Sequence, residues 1–212
     1  MTAQLQTLLT RYPQLLSCRA DIEKAEAMML ETYRRGGKIL LCGNGGSAAD
    51  CNHIAGELLK GFLEKRPMTD TQASAFRAAL GDRADAHIVS LQRGIPVISL
   101  PSQSAVLTAF ANDVDAEMMF AQLVFAYAAS NDLLIAISTS GDSKNVVRAA
   151  EAAKALGIRS LALTGAKESK LSALCDCTVR VPETETYKVQ EMHLPIYHEL
   201  CAAMEAALFG EE

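Results

Sequence analysis

The stretch Lys38 to Leu58, KILLCGNGGSAADCNHIAGEL, joins three kinds of sequence. A short apolar run closes in a glycine-rich turn, and the turn opens a segment whose apolar residues recur at helical spacing. A strand that gives way to a helix in this manner sets the helix N-terminus, with its free N–H groups, above the carboxyl end of the strand. Similar apolar runs recur at IPVISL (Ile95 to Leu100), LLIAIS (Leu133 to Ser138), SLALT (Ser160 to Thr164) and TVRVP (Thr178 to Pro182). Their apolarity is continuous rather than alternating, which predicts strands covered on both faces.

Helical patterns lie between these runs, over Ala48 to Phe62, Val106 to Ala129, Asn145 to Leu156, Lys170 to Leu174 and from about Glu191 to Leu208. Strands alternating with helices predict an α/β fold with a parallel sheet between two helical layers. Ligands in such sheets bind beyond the carboxyl ends of the strands. Upstream, Leu5, Leu8, Leu9, Ile22, Ala25, Met28, Met29 and Tyr33 predict two lead-in helices within residues 1–35, broken near Pro13 and ended by Gly36-Gly37. The segment Pro67 to Gly94 is too long for a plain connection and contains a helix beginning at Thr69 or Asp70. It reads either as a lid or as a solvated or packing arm.

With 212 residues, half of them hydrophobic, the chain can bury one sizeable core, and residues 1–212 are read as a single domain. A formal charge of -5, with no stretch rich in Lys and Arg, argues against nucleic acid as a partner. The six cysteines, at 18, 42, 51, 175, 177 and 201, form no CxxC pair and read as reduced thiols. No run of 18 apolar residues occurs and the N-terminus has no leader pattern, so a cytoplasmic protein with no membrane contact is expected.

Two loops carry the chemistry. The first, Gly43-Asn44-Gly45-Gly46-Ser47, aims backbone N–H groups at whatever sits above it, and a phosphate or a sugar hydroxyl suits that position. It matches neither the dinucleotide fingerprint nor a Walker loop, and by itself it is equally ordinary turn chemistry. The second, STSGDS (Ser138 to Ser143), has more hydroxyls than a helix cap needs, and such a nest holds a phosphate without Lys or Arg. Asp142 inside it would repel a phosphate and is expected to point outward.

On the helix after the first loop, Asp50, His53 and Glu57 stand three and four residues apart on one face. His and Glu at i, i+4 can share a metal ion, place a base beside a polariser, or form a solvated face. A second polar group lies in KVQEMHLPIYH, where Gln190, Glu191, His193 and His198 crowd together. Gln190 and His198 lie about 12 Å apart along a continuous helix, unless Pro195 bends or starts it.

GNGGSAAD, HIAGEL, LTAFAND, ISTSGDS, ALTG and VQEMH, in this order, resemble the sugar isomerase (SIS) domain family, and within it the phosphoheptose isomerases. The resemblance covers about Gly36 to Leu208. It implies a flavodoxin-like three-layer α/β/α sandwich with a five-stranded parallel sheet, and a homotetramer with active sites at subunit interfaces. It also implies one zinc ion (Zn2+) per subunit, held by His53, Glu57, Gln190 and His198. The reaction implied interconverts sedoheptulose 7-phosphate and a D-glycero-D-manno-heptose 7-phosphate, on the way to heptose units of bacterial surface sugars such as lipopolysaccharide. Glu57 would be the catalytic base and His198 the acid, with Ser47, Ser138, Thr139, Ser140 and Ser143 on the phosphate. Asn44, Gly45, Gly46, Asp50, Asp113, Thr186 and Gln190 would line the rest of the substrate site.

The chain departs from that pattern in the length of the 67–94 insertion and in Asp142, and both bear on which sugar fits. Two other readings share the fold: an isomerase of another phosphosugar, and a non-catalytic scaffold that binds a replication initiator protein. The scaffold relatives lack the second metal-side histidine, and His198 is present here.

Overall fold

The computed structural model describes residues 1–210. The five apolar runs form strands β1 (Ile39–Gly43), β2 (Val97–Ser99), β3 (Leu133–Ile137), β4 (Arg159–Thr164) and β5 (Cys177–Arg180). All pair in parallel, in the order β2-β1-β3-β4-β5. β1 and β3 are buried at every position, as strands between two helical layers must be.

The lead-in is α1 (Ala3–Arg11), a 3-10 turn from Pro13 and α2 (Arg19–Arg34). These pack with α3 (Gly46–Leu59) and α10 (Thr186–Phe209) on one face of the sheet, around Leu5, Ile22, Leu58, Ile135, Ile196 and Leu200. The other face carries α7 (Met119–Tyr127), α8 (Lys144–Ala155) and α9 (Lys170–Leu174), packed through Phe120, Val124, Val146, Ala150 and Leu171. The expected three-layer α/β/α sandwich with N-terminal helices is therefore the observed architecture. No described helix is long and apolar enough to cross a membrane.

The 67–94 segment contains α4 (Asp70–Leu80), started by a Thr69–Gln72 capping box, and α5 (Ala84–Ser90). Ala73 and Ala84 are the buried positions of these helices, and Val89 is 86% exposed, so the segment is an exposed helical arm.

Three helices differ from expectation. The pattern read as one helix over Val106 to Ala129 is instead α6 (Ser104–Phe110), a π-turn over Ala111–Asp115, and α7. The Asp115 carboxylate accepts the Glu117 N–H at 2.8 Å, and this local bond competes with the helix ladder. α3 stops at Leu59 rather than near Phe62, because the Glu205 carboxylate takes the N–H groups of Phe62, Leu63 and Glu64 at 2.6–2.9 Å. α10 begins at Thr186 and runs unbroken through Pro195, so proline neither starts nor ends it.

Candidate active site

β1 and β3 are neighbours in the sheet, with Gly43 beside Ile137, so the loops that follow them leave side by side. The strand order changes direction here, since β2 lies to one side of β1 and β3 to the other. This switch point is where open α/β sheets leave a crevice for ligands. Over it stand the N-termini of α3 and α8, each worth about half a positive charge. The side-chain amides of Asn44 and Asn145 tie the two loops together by reciprocal hydrogen bonds of 2.8 and 2.9 Å.

In the second loop the Ser138 hydroxyl donates to Ser143 at 3.0 Å and accepts the Gly141 N–H at 3.2 Å, while Ser140 accepts the Asp142 N–H. The hydroxyls thus gather above the start of α8, with Ser138 buried and Ser140 exposed. Gly141 turns the chain with φ of +70°, and a Cβ there would lie 2.1 Å from the Ser169 hydroxyl. Asp142 is exposed, its expected position, and has a structural task besides. Its Oδ1 accepts the Lys170 N–H at 3.0 Å and anchors α9.

α3 carries His53 and Glu57, and α10 brings His198 across to meet them. His198 Nε2 lies 3.4 Å from His53 Nε2, and His53 Nε2 lies 3.4 Å from Glu57 Oε1. The other Glu57 oxygen accepts from Lys60 Nζ at 2.8 Å. Partial burial, followed by the neighbouring His53, lowers the pKa of His198 against the opposing pull of Glu57, which favours its neutral form. His53 Nδ1 lies 3.0 Å from the Tyr197 hydroxyl, which donates to Asp50 Oδ1 at 3.3 Å.

The donor set can be tested against zinc. Two imidazole nitrogens and a carboxylate oxygen are its ordinary ligands, and at normal bond lengths a tetrahedral edge is about 3.4 Å. Both measured separations equal that edge. Among the described residues no group of three or more His, Cys, Asp or Glu side chains is already arranged to hold a metal ion. The three donors match zinc in type and in the two spacings to His53 Nε2.

Gln190, the fourth donor the resemblance implies, stands two turns before His198 on α10. Its amide packs over Gly46, where an added Cβ would meet Nε2 at 2.5 Å. The distance along α10, about 12 Å for eight residues, separates it from His198. Gly46→Ala should therefore displace the Gln190 amide and reduce turnover at an unchanged melting temperature, because a flexible side-chain end, not backbone, has to move. Parallel thermal melts and rate assays check this.

Of the other expected residues, Ser47 is buried at the start of α3, Gly45 and Asn44 are exposed in the first loop, and Thr139 is half-buried in the second. Asp113 is exposed on the π-turn, where it accepts from Asn112, and Thr186 is exposed at the first residue of α10. The remaining histidines stay outside the cluster. His193 is fully buried with a pKa pushed down to about 4 by that burial, and His87 contacts the Arg83 carbonyl within the arm.

Sequence reading missed Asn145, Lys60, Tyr197 and the Arg66–Glu205 pair. Tyr197 and Glu205 are embedded among the apolar residues of α10, and their partners are more than 130 positions away. Lys60 had a usable signal, since it stands three residues after Glu57 on the same helix face.

The SIS domain family matches residues 6–90 and 103–208. A five-stranded parallel sheet of this order between two helical layers is the fold of the sugar-phosphate isomerases of that class. The phosphoheptose isomerase of Aneurinibacillus thermoaerophilus is 38% identical over 89% of this chain and 82% of its own length. That of Rhodospirillum rubrum is 35% identical over 96% and 94%. The solved phosphoheptose isomerase of Neisseria gonorrhoeae superposes with a TM-score of 0.68 at 27% identity, covering 95% of this chain and 98% of its own. The chain belongs to the phosphoheptose isomerase family.

Proposed function

We propose that the enzyme interconverts sedoheptulose 7-phosphate and D-glycero-D-manno-heptose 7-phosphate with one zinc ion per subunit. The observation that carries this reading is the approach of His198 Nε2 and Glu57 Oε1 to His53 Nε2, each at 3.4 Å, in a chain that also has a hydroxyl-rich loop at the start of α8. An aldose becomes a ketose when a proton moves between neighbouring carbons through an enediol, which needs a base at the carbons and an acid at the oxygens. Glu57 takes and returns the carbon-bound proton, and His198 serves the oxygens. Ser47, Ser138, Thr139, Ser140 and Ser143 hold the phosphate and so fix the reacting carbons in place. Asn44, Asp113, Thr186 and Gln190 meet the sugar hydroxyls. When bound, the ion supplies positive charge that polarises the carbonyl and offsets charge developing on oxygen.

The same reading includes a homotetramer with the sites at its interfaces. A cleft of about 580 Å³ opens beside His198, between α1, α10 and Phe62. Glu199 in that cleft has both carboxylate oxygens buried without a hydrogen-bond partner among the described residues. Burial, together with the neighbouring Glu26, pushes its pKa up to about 10. Light scattering of the purified protein should give four times the chain mass.

Metal analysis and turnover test the rest together. We expect one zinc per chain, and NMR of anomeric protons should show turnover of a seven-carbon sugar phosphate. Turnover confined to pentose or hexose phosphates would assign the same chemistry to another substrate, which the exposed 67–94 arm leaves room for. A zinc-free protein unaffected by His53→Ala would point to the scaffold instead.

A further inference from the structure

We propose that Asp50 and Tyr197 form a positioning relay that holds His53 in the Nδ1–H tautomer, so that Nε2 presents its lone pair to the site. The argument is a count of protons. An ionised carboxylate only accepts hydrogen bonds, and a phenol has one proton to give. Asp50 Oδ1 lies 3.3 Å from the Tyr197 hydroxyl, and Oδ2 is buried with no partner. If the phenol turned its proton to His53 instead, the half-buried carboxylate would lose the bond recorded to Oδ1 while Oδ2 stayed unpaired. The phenol therefore donates to Asp50. Its oxygen must then accept at the 3.0 Å contact with His53, and the donor there is Nδ1–H.

The consequence appears on the opposite edge of the ring. Nε2 is left as a lone pair 3.4 Å from Glu57 Oε1 and 3.4 Å from His198 Nε2. Carboxylate oxygen facing imidazole lone pair is unfavourable until a cation or a proton lies between them. Tyr197 is 2% exposed, so its ring is fixed by packing and the relay is pre-set by the fold. Asp50 thereby acts through His53, where the family resemblance implied a sugar contact.

This inference rests on the reading of His53 as a cation ligand, and the experiment separates the two. Two-bond proton–nitrogen NMR on metal-free protein at pH 8 reads the His53 tautomer directly. Wild type should show Nδ1–H. Asp50→Ala should switch it to Nε2–H, as the freed phenol turns to Nδ1, while Asp50→Asn, whose amide oxygen still accepts, should retain Nδ1–H. Tyr197→Phe should give a mixture. Zinc affinity, measured by chelator competition, should fall about 10- to 100-fold in Asp50→Ala and Tyr197→Phe. An Nε2–H tautomer in wild type, an unchanged tautomer in Asp50→Ala, or unchanged zinc affinity in both variants of a zinc-binding wild type would overturn the relay. A wild type that binds no zinc yet follows the tautomer series would uphold the relay and remove the metal reading.

Discussion

Glu57→Gln should lower turnover about 10²- to 10⁴-fold, the usual worth of a positioned general base, and leave the fold intact. Glutamine keeps the shape of the side chain and loses both its charge and its basicity. Nothing structural depends on that carboxylate beyond an exposed bond to Lys60 and the 3.4 Å approach to His53. The backbone carbonyl of Glu57, by contrast, accepts from Arg66 at 3.2 Å and is untouched by the change. Rates on a sugar phosphate, compared with circular dichroism and thermal melts, check the expectation. Near-normal turnover in a well-folded variant would remove Glu57 from the reaction.

Glu205→Ala should destabilise the protein by about 3–5 kcal/mol, because it strands a buried guanidinium. Arg66 and Glu205 are both fully buried and meet at 2.7 Å. Glu205 also holds the N–H groups of Phe62, Leu63 and Glu64, and Arg66 holds the carbonyls of Leu58 and Glu57. The pair thus closes the turn behind α3 and steadies the helix end that bears Glu57. A loss of that size is a large part of the 5–15 kcal/mol typical of a folded domain, measured here by urea unfolding at pH 7.

The pH dependence follows from the same network. Burial alone would raise the Glu205 pKa, but the bonds from Phe62 and Leu63, the Arg66 guanidinium and the bond from Glu64 outweigh it and hold the value below the ordinary 4.5. A carboxylate depressed by folding contributes stability that is fully present above its unfolded pKa and lost as pH falls through the folded value. The difference between wild type and Glu205→Ala should therefore be largest near neutrality and shrink below about pH 4.5. A difference that grows with acid would contradict the assignment.

Periodicity alone revealed the layers. The five apolar runs became the five strands, with β1 and β3 buried throughout and β5 alternately half-buried, and glycine and hydroxyl clusters at their carboxyl ends became the loops over the switch point. Local chemistry also marked the helix start at Thr69 or Asp70 and the His53–Glu57 face, since both depend on neighbours within four residues. Element ends were less legible where distant side chains intervened, as Glu205 did at the end of α3. Within the site, the sequence by itself supplied the donor types and one of the two helix faces. Only tertiary structure decided that His198 reaches His53, that Gln190 rests on Gly46, and that Tyr197 stands between Asp50 and the imidazole. Those contacts join side chains over 140 positions apart, and their partners are selected by how α3 and α10 pack against one another, which no local pattern encodes.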